Sequence, residues 1–518
     1  MIKNKFLKRL LAKEDPTVYQ LKDASLEPSL TTLDLIGLGT GMVVGTAIFT
    51  LPGIVAAEHT GPAVPLAFIV AAIGAGLSAL AYAETASVLP FAGSAFSWMN
   101  VLFGEFFGWI AGWALLAEYF ISVAFVASGW SAYMQGFLGS FGVKLPVALT
   151  GGFNPAKGSY VDILAAIAIL IVGCLIARGI HQVSRVENTI VAVKLIVIIM
   201  FVVIGATAIH PQNYVPFIPA HRPGTTFGGW QGILAGSSQI FIAYVGFDAI
   251  AANTAETKDP QHTMPKGLIG TLLLGTGFFI AVSLVLVGMF KYSRYANNAE
   301  PAAWALRHSG HYLTANLLSV VALIGIFSAL IAILLASSRL IYAFGRDGLL
   351  PSRLGHIDDK HVPDHALWLI TVLALILGSV FPFTFLATLV SAGTLIAFIF
   401  VSLGIYALRK REGVDLPEAK FKMPGYPVLP AISVVYSIVI FAGLNIDDRL
   451  VRYWFDNLLC LWNQAFKPES AAQKGCQVIY PCSRQGNMLY YVLAFYGHNN
   501  GIPLLKSGKN IDERKKYY

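Results

Sequence analysis

Charge is what this sequence has least of. Of its 518 residues, 12% are Asp, Glu, Lys or Arg, roughly half the ~25% of a soluble domain, while 56% are hydrophobic. That imbalance excludes an ordinary water-soluble globule. Cysteine is also scarce. Cys174 lies in an apolar run, and Cys460, Cys476 and Cys482 lie near the C-terminus. With no C-x-x-C pair and no His/Cys cluster along the chain, a metal site is not expected. A leader with a small-residue cleavage site is missing too. The chain starts instead with a polar, mostly basic arm, MIKNKFLKRLLAKEDPTVYQLKD. The formal net charge of +8 does not point to nucleic acid, because Lys and Arg cluster in short loops between apolar runs. No nucleophile–base pair, metal cluster or phosphate loop stands out, so an enzyme is not expected. GRDG at 345–348 reads as a loop motif. A channel would need charge rings or a filter sequence, and neither is present.

What the sequence has in abundance is long apolar runs. A spanning helix needs about 20 mostly apolar residues. Eleven candidates lie at 35–57, 63–88, 101–130, 159–177, 187–209, 231–255, 267–290, 316–343, 366–382, 384–408 and 428–444. Lipid leaves backbone groups no partners but one another, so the reading is an all-helical membrane bundle. The chain divides into a cytoplasmic arm (1–34), a first set of five spans (35–209) and an outer loop (210–230). A second set of five (231–409), a loop with the eleventh span (410–444) and a polar tail (445–518) follow. With the N-terminus in the cytoplasm, inward segments carry 18 Lys and Arg. Outward loops carry six: Lys144, Lys157, Arg222, Lys291, Arg294 and Arg307. The excess of cationic residues inside favours that orientation and a multi-pass protein of the plasma membrane.

Two spans are built against helix formation. The first, IGLGTGMVVGTAIFTLPG (36–53), holds five glycines and Pro52. The sixth, GSSQIFIAYVGFDAIAANTAE (236–256), has small and polar residues through its middle. Each opens a set of five spans. A break at the same place in two halves points to an inverted-repeat transporter with a midplane site. Gly37, Gly41 and Gly45 also fit a G-x-x-x-G packing stripe, which is the plainer reading. If the helix unwinds near Gly41–Thr46, free amides at the start of its second half face an anion, and free carbonyls of its first half face a cation. That pair of poles suits a zwitterionic amino acid.

Ionisable groups within spans cost about 2.5–3.5 kcal/mol at the bilayer centre on insertion scales. Glu118, Lys194 and Asp248 are the deepest. For Glu118 the plain alternative is a helix-to-helix hydrogen bond; for Lys194 it is snorkelling. A buried lysine readily exchanges its proton, which makes Lys194 a candidate for proton coupling. Glu84 and Glu105, near span ends, read as structural, and Arg339 as an interface anchor. Phe241, Tyr244 and Phe247 flank the second break, as core or as a gate.

TGMVVGTAIF (40–49), YAETASVLPFAGSAFSW (82–98), IAYVGFDAIAANTAETKDPQHTMPKG (242–267) and SSRLIYAFGRDGLLP (337–351) together resemble the amino acid–polyamine–organocation superfamily. The likeness runs over about 30–440 and is nearest to bacterial members of the cationic amino acid transporter subfamily. It implies an all-α integral membrane protein of the LeuT-type five-plus-five inverted repeat, usually with twelve spans. It implies that Thr40, Gly41, Met42, Val43, Val44, Gly45, Thr46 and Ala47 hold the substrate α-carboxylate and α-amino group through backbone atoms. The same likeness makes Phe241 to Asp248, with Ile242 and Tyr244 between, the unwound sixth helix. Glu118 becomes an acid facing the substrate side chain, and Lys194 the residue standing where sodium-coupled relatives hold an ion. Three departures stand out. Ala47 replaces a frequent glycine, Ile242 occupies the family's gating-aromatic position, and the twelfth span is missing. A changed reading frame near Asn445 would account for the last.

The expectation is therefore a secondary active amino acid transporter working by alternating access. It is read as a proton symporter with no cofactor beyond the proton gradient, no metal and no nucleic-acid partner. Its partners are the bilayer and a small-molecule amino acid; a single-span partner helix is left open. An exchanger of amino acids or polyamines is the alternative, and a non-transporting receptor or scaffold the remoter one. Glu118 favours a cationic substrate, and the apolar stretch Ala329–Leu335 a small neutral one.

Overall fold

A computed structural model describes residues 13–17, 19, 28–91, 94–178, 183–296, 298, 300–346, 350–358 and 362–444. The tail 445–518, with Cys460, Cys476, Cys482 and the expected change of frame, lies outside the described residues, as do 1–12 and 20–27 of the N-terminal arm. Among the described residues there are helices and isolated bridges but no strands.

The first span is two helices, α1 (Thr32–Val43) and α2 (Thr46–Val55). There follow α3 (Val64–Val88), the short α4 (Ser94–Leu102), α5 (Glu105–Ser140), α6 (Ile163–Ala177) and α7 (Val183–Ala206). The sixth span is again broken. α8 (Gly229–Ile240) runs into a 3₁₀ turn (Phe241–Tyr244), and after it comes α9 (Phe247–Ala252). Then come α10 (Pro260–Met289), the loop helix α11 (Pro301–His308), α12 (Tyr312–Arg346), α13 (Asp364–Val380), α14 (Phe383–Arg411) and α15 (Val428–Gly443). Among the described residues, six helical stretches are long and apolar enough to cross a membrane: Thr46–Val88, Glu105–Ser140, Thr189–Ala206, Pro260–Met289, Tyr312–Arg346 and Phe383–Arg411. Thr32–Val43, Ile163–Ala177, Asp364–Val380 and Val428–Gly443 are apolar but shorter. The chain is a multi-pass helical membrane protein.

α5 is the central column. It packs most extensively on α12 and α14, while α3 and α1 pack on α10. Small residues set these distances. A methyl at Gly393 of α14 would lie 3.0 Å from the Ala114 carbonyl oxygen and 3.2 Å from Glu118 N. α14 therefore meets the α5 backbone directly beside Glu118, as small residues permit between membrane helices. At the start of α1, Thr31 and Asp34 cap each other reciprocally, satisfying two otherwise unpaired groups at that end.

Three contacts fix the ends. Before α1, Ser29 and Leu30 N–H both donate to Glu256 O, at 2.8 and 2.9 Å, and Lys258 N–H donates to Leu30 O at 2.9 Å. The chain entering the first span is thereby joined to the chain leaving the sixth. Glu84, fully buried, accepts Arg409 Nε at 2.6 Å, Arg409 Nη2 at 2.9 Å and Met423 N–H at 2.5 Å. Arg409 also lies over the Tyr426 ring, 4.6 Å from its centroid. This ties α3 to α14 and to the chain before α15, in keeping with a structural Glu84. At α11, Arg307 donates to Glu300 and, at 3.2 Å, to the Gly136 carbonyl. Burial raises the Glu300 pKa, and the neighbouring Arg307 charge acts against that rise.

Candidate functional site

The first break is two residues wide. α1 ends where Val44 N–H bonds to Thr40 O at 2.8 Å. Val44 (φ −84°, ψ 54°) and Gly45 (φ −96°, ψ −135°) then leave the helix. A side chain at Gly45 would sit 3.0 Å from the Met42 carbonyl oxygen, so the turn leaves little room for one. Gly45 gives no side-chain cap to α2. The first-turn amides of α2, which no intrahelical carbonyl can reach, therefore sit at the positive end of a helix dipole.

The second break lies against the first. Gly246 has φ +115° and stands where a methyl would come 2.9 Å from Met42 Cβ. Its N–H donates to Asp248 Oδ1 at 3.0 Å. Gly246→Ala should therefore destabilise the fold by about 1–3 kcal/mol, the cost of a non-glycine residue held in such a backbone region. Thermal unfolding in detergent reads it; an unchanged midpoint would refute the close approach.

Between the breaks and the central column is a cavity of about 40 Å³. The first span contributes Met42, Val43, Gly45, Thr46 and Ala47, and α5 contributes Ser122, Phe125 and Val126. Ile242 and Val245 come from the second break, and Ala329 and Ile333 from α12. Its wall is mostly hydrocarbon. The polar groups are the backbone of the break and the hydroxyls of Thr46 and Ser122. Thr46 Oγ1 is buried without a hydrogen bond, and so is Thr40 Oγ1 on the other side of the break. Ser122 donates to the Glu118 carbonyl at 2.6 Å.

The predicted residues fall into three groups. Met42, Val43, Gly45, Thr46, Ala47 and Ile242 line the cavity, and Thr40, Gly41 and Val44 are buried beside it. Lys194 is 2% exposed, and its Nζ donates to Gly41 O at 2.8 Å. A methyl at Gly325 of α12 would lie 2.9 Å from Lys194 Cδ. The side chain thus runs inward from α7 across α12 to the first break, which is the opposite of snorkelling. Glu118 and Asp248, both fully buried, form the third group. Thr394 and Asp248 lie close enough to act on the Glu118 carboxyl, yet both Glu118 oxygens lack a hydrogen bond. Glu118 is one turn from Ser122 and is not part of the cavity wall.

The aromatics of the sixth span turn elsewhere. Phe241 packs edge-on to Phe398, with centroids 5.8 Å apart. Tyr244 donates to Phe68 O at 2.9 Å. Phe247 contacts Tyr82 and Phe398. None of the three lines the cavity; Phe125 of α5 does. Sequence reading missed Ser122, Phe125, Val126 and Val245. A signal existed for the first three, which follow Glu118 at i+4, i+7 and i+8 on one helical face.

Comparison with known proteins identifies the family. The sequence pattern of the family described as amino acid permease matches residues 30–454. The chain is 51% identical to the branched-chain amino acid permease BcaP of Lactococcus lactis subsp. cremoris, covering 86% of this chain and 96% of that one. It is 38% identical to the methylthioribose transporter of Bacillus subtilis, covering 80% and 88%. It is 34% identical to the vacuolar cationic amino acid transporter 4 of Arabidopsis thaliana, covering 76% and 66%. A transporter rather than an enzyme, the chain belongs to the amino acid permease family.

Proposed function

We propose that this permease carries branched-chain amino acids into the cell in symport with protons. The observation that carries the substrate choice is the cavity wall. Phe125, Val126, Ile242, Val245, Ala329 and Ile333 surround a space next to uncapped helix amides. A branched aliphatic side chain satisfies such a wall, whereas a charged head there would lose its water without a partner. The 51% identical relative is named a branched-chain amino acid permease, which supports the same choice. The α-carboxylate would take the amides at the start of α2, and the α-amino group the carbonyls at the end of α1.

A cavity of about 40 Å³ is well short of the ~150 Å³ apolar cavity that takes a benzene-sized ligand. A bound amino acid therefore requires the breaks to draw away from α5 and α12, and this supports alternating access. In this reading α1–α2, α3, α5, α6 and α7 form one half. α8–α9, α10, α12, α13 and α14 form its inverted copy in the plasma membrane, with the N-terminus in the cytoplasm. A second reading, a cationic substrate, rests on the Glu118 oxygens that lack hydrogen bonds.

Uptake into proteoliposomes of labelled leucine, isoleucine, valine, alanine, arginine and lysine, with and without an acid-outside gradient, tests both readings. We expect the branched residues to accumulate and the gradient to drive them uphill. Arginine and lysine as the preferred substrates would replace this reading with the second. Uptake only into vesicles preloaded with amino acid would make the protein an exchanger.

A further inference from the structure

The loop from α12 to α13 gathers side chains that the function above does not use. The turn Ser352–Gly355 lies backbone to backbone on the end of α12. A methyl at Gly345 would be 2.5 Å from Gly355 N, and one at Gly355 2.8 Å from Arg346 N. His356 follows at once, so its position is set by that contact. The chain then returns. Asp358 N–H donates to Val362 O at 2.9 Å, Val362 N–H to Asp358 Oδ1 at 2.8 Å, and Asp364 N–H to Val362 O at 2.9 Å. Val362, 2% exposed, anchors the return. As a result the Nδ1 atoms of His356 and His365 stand 3.0 and 2.9 Å from the same oxygen, Asp364 Oδ1. The two rings meet edge to face with centroids 5.2 Å apart.

We propose that His356, Asp364 and His365 form a binding site for a divalent transition-metal ion of the zinc type, completed by water. One ligand atom from each residue lies within 4.8 Å of the others, the one such trio among the described residues. Two imidazole nitrogens and a carboxylate oxygen suit zinc, copper and nickel. They do not suit magnesium or calcium, which take oxygen ligands. Zinc bonds of about 2.0–2.2 Å in tetrahedral geometry place neighbouring ligand atoms roughly 3.3 Å apart. The two nitrogen–oxygen separations are within a few tenths of an ångström of that. Each neutral ring offers its Nδ1 lone pair once its proton resides on Nε2. Both histidines are about half exposed, so an ion enters without unfolding the loop. The alternative is two surface hydrogen-bonded pairs worth little, and that explains less well why both rings crowd one oxygen. Sequence spacing hides the trio, because His356 stands eight residues before Asp364. The ion would clasp the turn after α12 to the start of α13, away from the cavity between the breaks.

The test uses the full chain without a histidine tag, stripped of metal, in detergent. Calorimetric titration with zinc chloride should give a single high-affinity site. The His356→Asn/His365→Asn double variant should bind at least about tenfold more weakly, the loss that even outer-shell changes produce. Zinc should raise the melting temperature of the unaltered protein, and magnesium should not. X-ray absorption of the zinc-loaded unaltered protein should show two imidazole nitrogens around the ion, a readout that does not depend on the variant folding. Equal affinity in the double variant, no binding, an equal response to magnesium, or an ion bound by oxygen alone would overturn the proposal.

Discussion

Lys194→Ala should abolish accumulation of substrate against its gradient while leaving binding measurable. Lys194 Nζ donates to the Gly41 carbonyl at 2.8 Å, inside the break that lines the cavity. A protonated amine makes a charge-assisted bond, roughly twice as strong as a neutral one. In the proposed symport, loss of that proton would loosen the hold of α7 on the end of α1. Removing the amine leaves a buried carbonyl without its donor, at about 1–3 kcal/mol, or roughly fivefold to 150-fold in any equilibrium that depends on it. Lys194→Arg separates two roles. Arginine can donate to Gly41 but does not release its proton. It should therefore retain binding and one-for-one exchange while losing pH-driven accumulation. Undiminished uphill uptake by the alanine variant under an imposed pH gradient would refute the coupling role. Binding by scintillation proximity, read beside transport, tells a coupling defect from a folding defect.

Glu84→Ala should have the largest effect on stability. Its carboxylate holds Arg409 at 2.6 and 2.9 Å and Met423 N–H at 2.5 Å. Deleting it leaves a guanidinium and an amide without their acceptor. Removing one partner of a buried pair costs about 3–5 kcal/mol; the Arg409 side chain is 17% exposed, which puts the expected loss toward the lower end. Arg409→Ala should cost a similar amount. The double variant should cost clearly less than the sum, because the second change removes an already stranded group. Glu84→Gln keeps the shape and one acceptor and should fall between. Detergent melting curves of the four proteins measure this cycle, and strictly additive shifts would show that the pair does not act as a unit.

The sequence carried much of this, and the reasons differ by level. Membrane spans are legible because lipid imposes one local rule on every residue, so apolar length shows directly. Their ends are less so. α5 continues to Ser140 and α12 to Arg346, through polar residues that pack on neighbours. The first break was legible because glycine marks it, and Lys194 because a buried charge is costly. The direction of Phe241 and Tyr244 was not. The 3₁₀ turn at Phe241–Tyr244 rotates side chains by a different step from an α-helix, which carries both rings away from the cavity. Nor was the approach of Glu118 to Asp248 visible, since it depends on where two helices far apart in the chain come to rest.

The join between Leu30 and the 256–258 stretch consists only of amides and carbonyls. It is therefore indifferent to the identity of the side chains it connects; among ordinary substitutions only proline, which lacks the N–H, removes one of its donors. The lead into the first span and the way out of the sixth behave as one piece of backbone. Drift in sequence on either side can retune the surface there without loosening the backbone join that the two broken spans share.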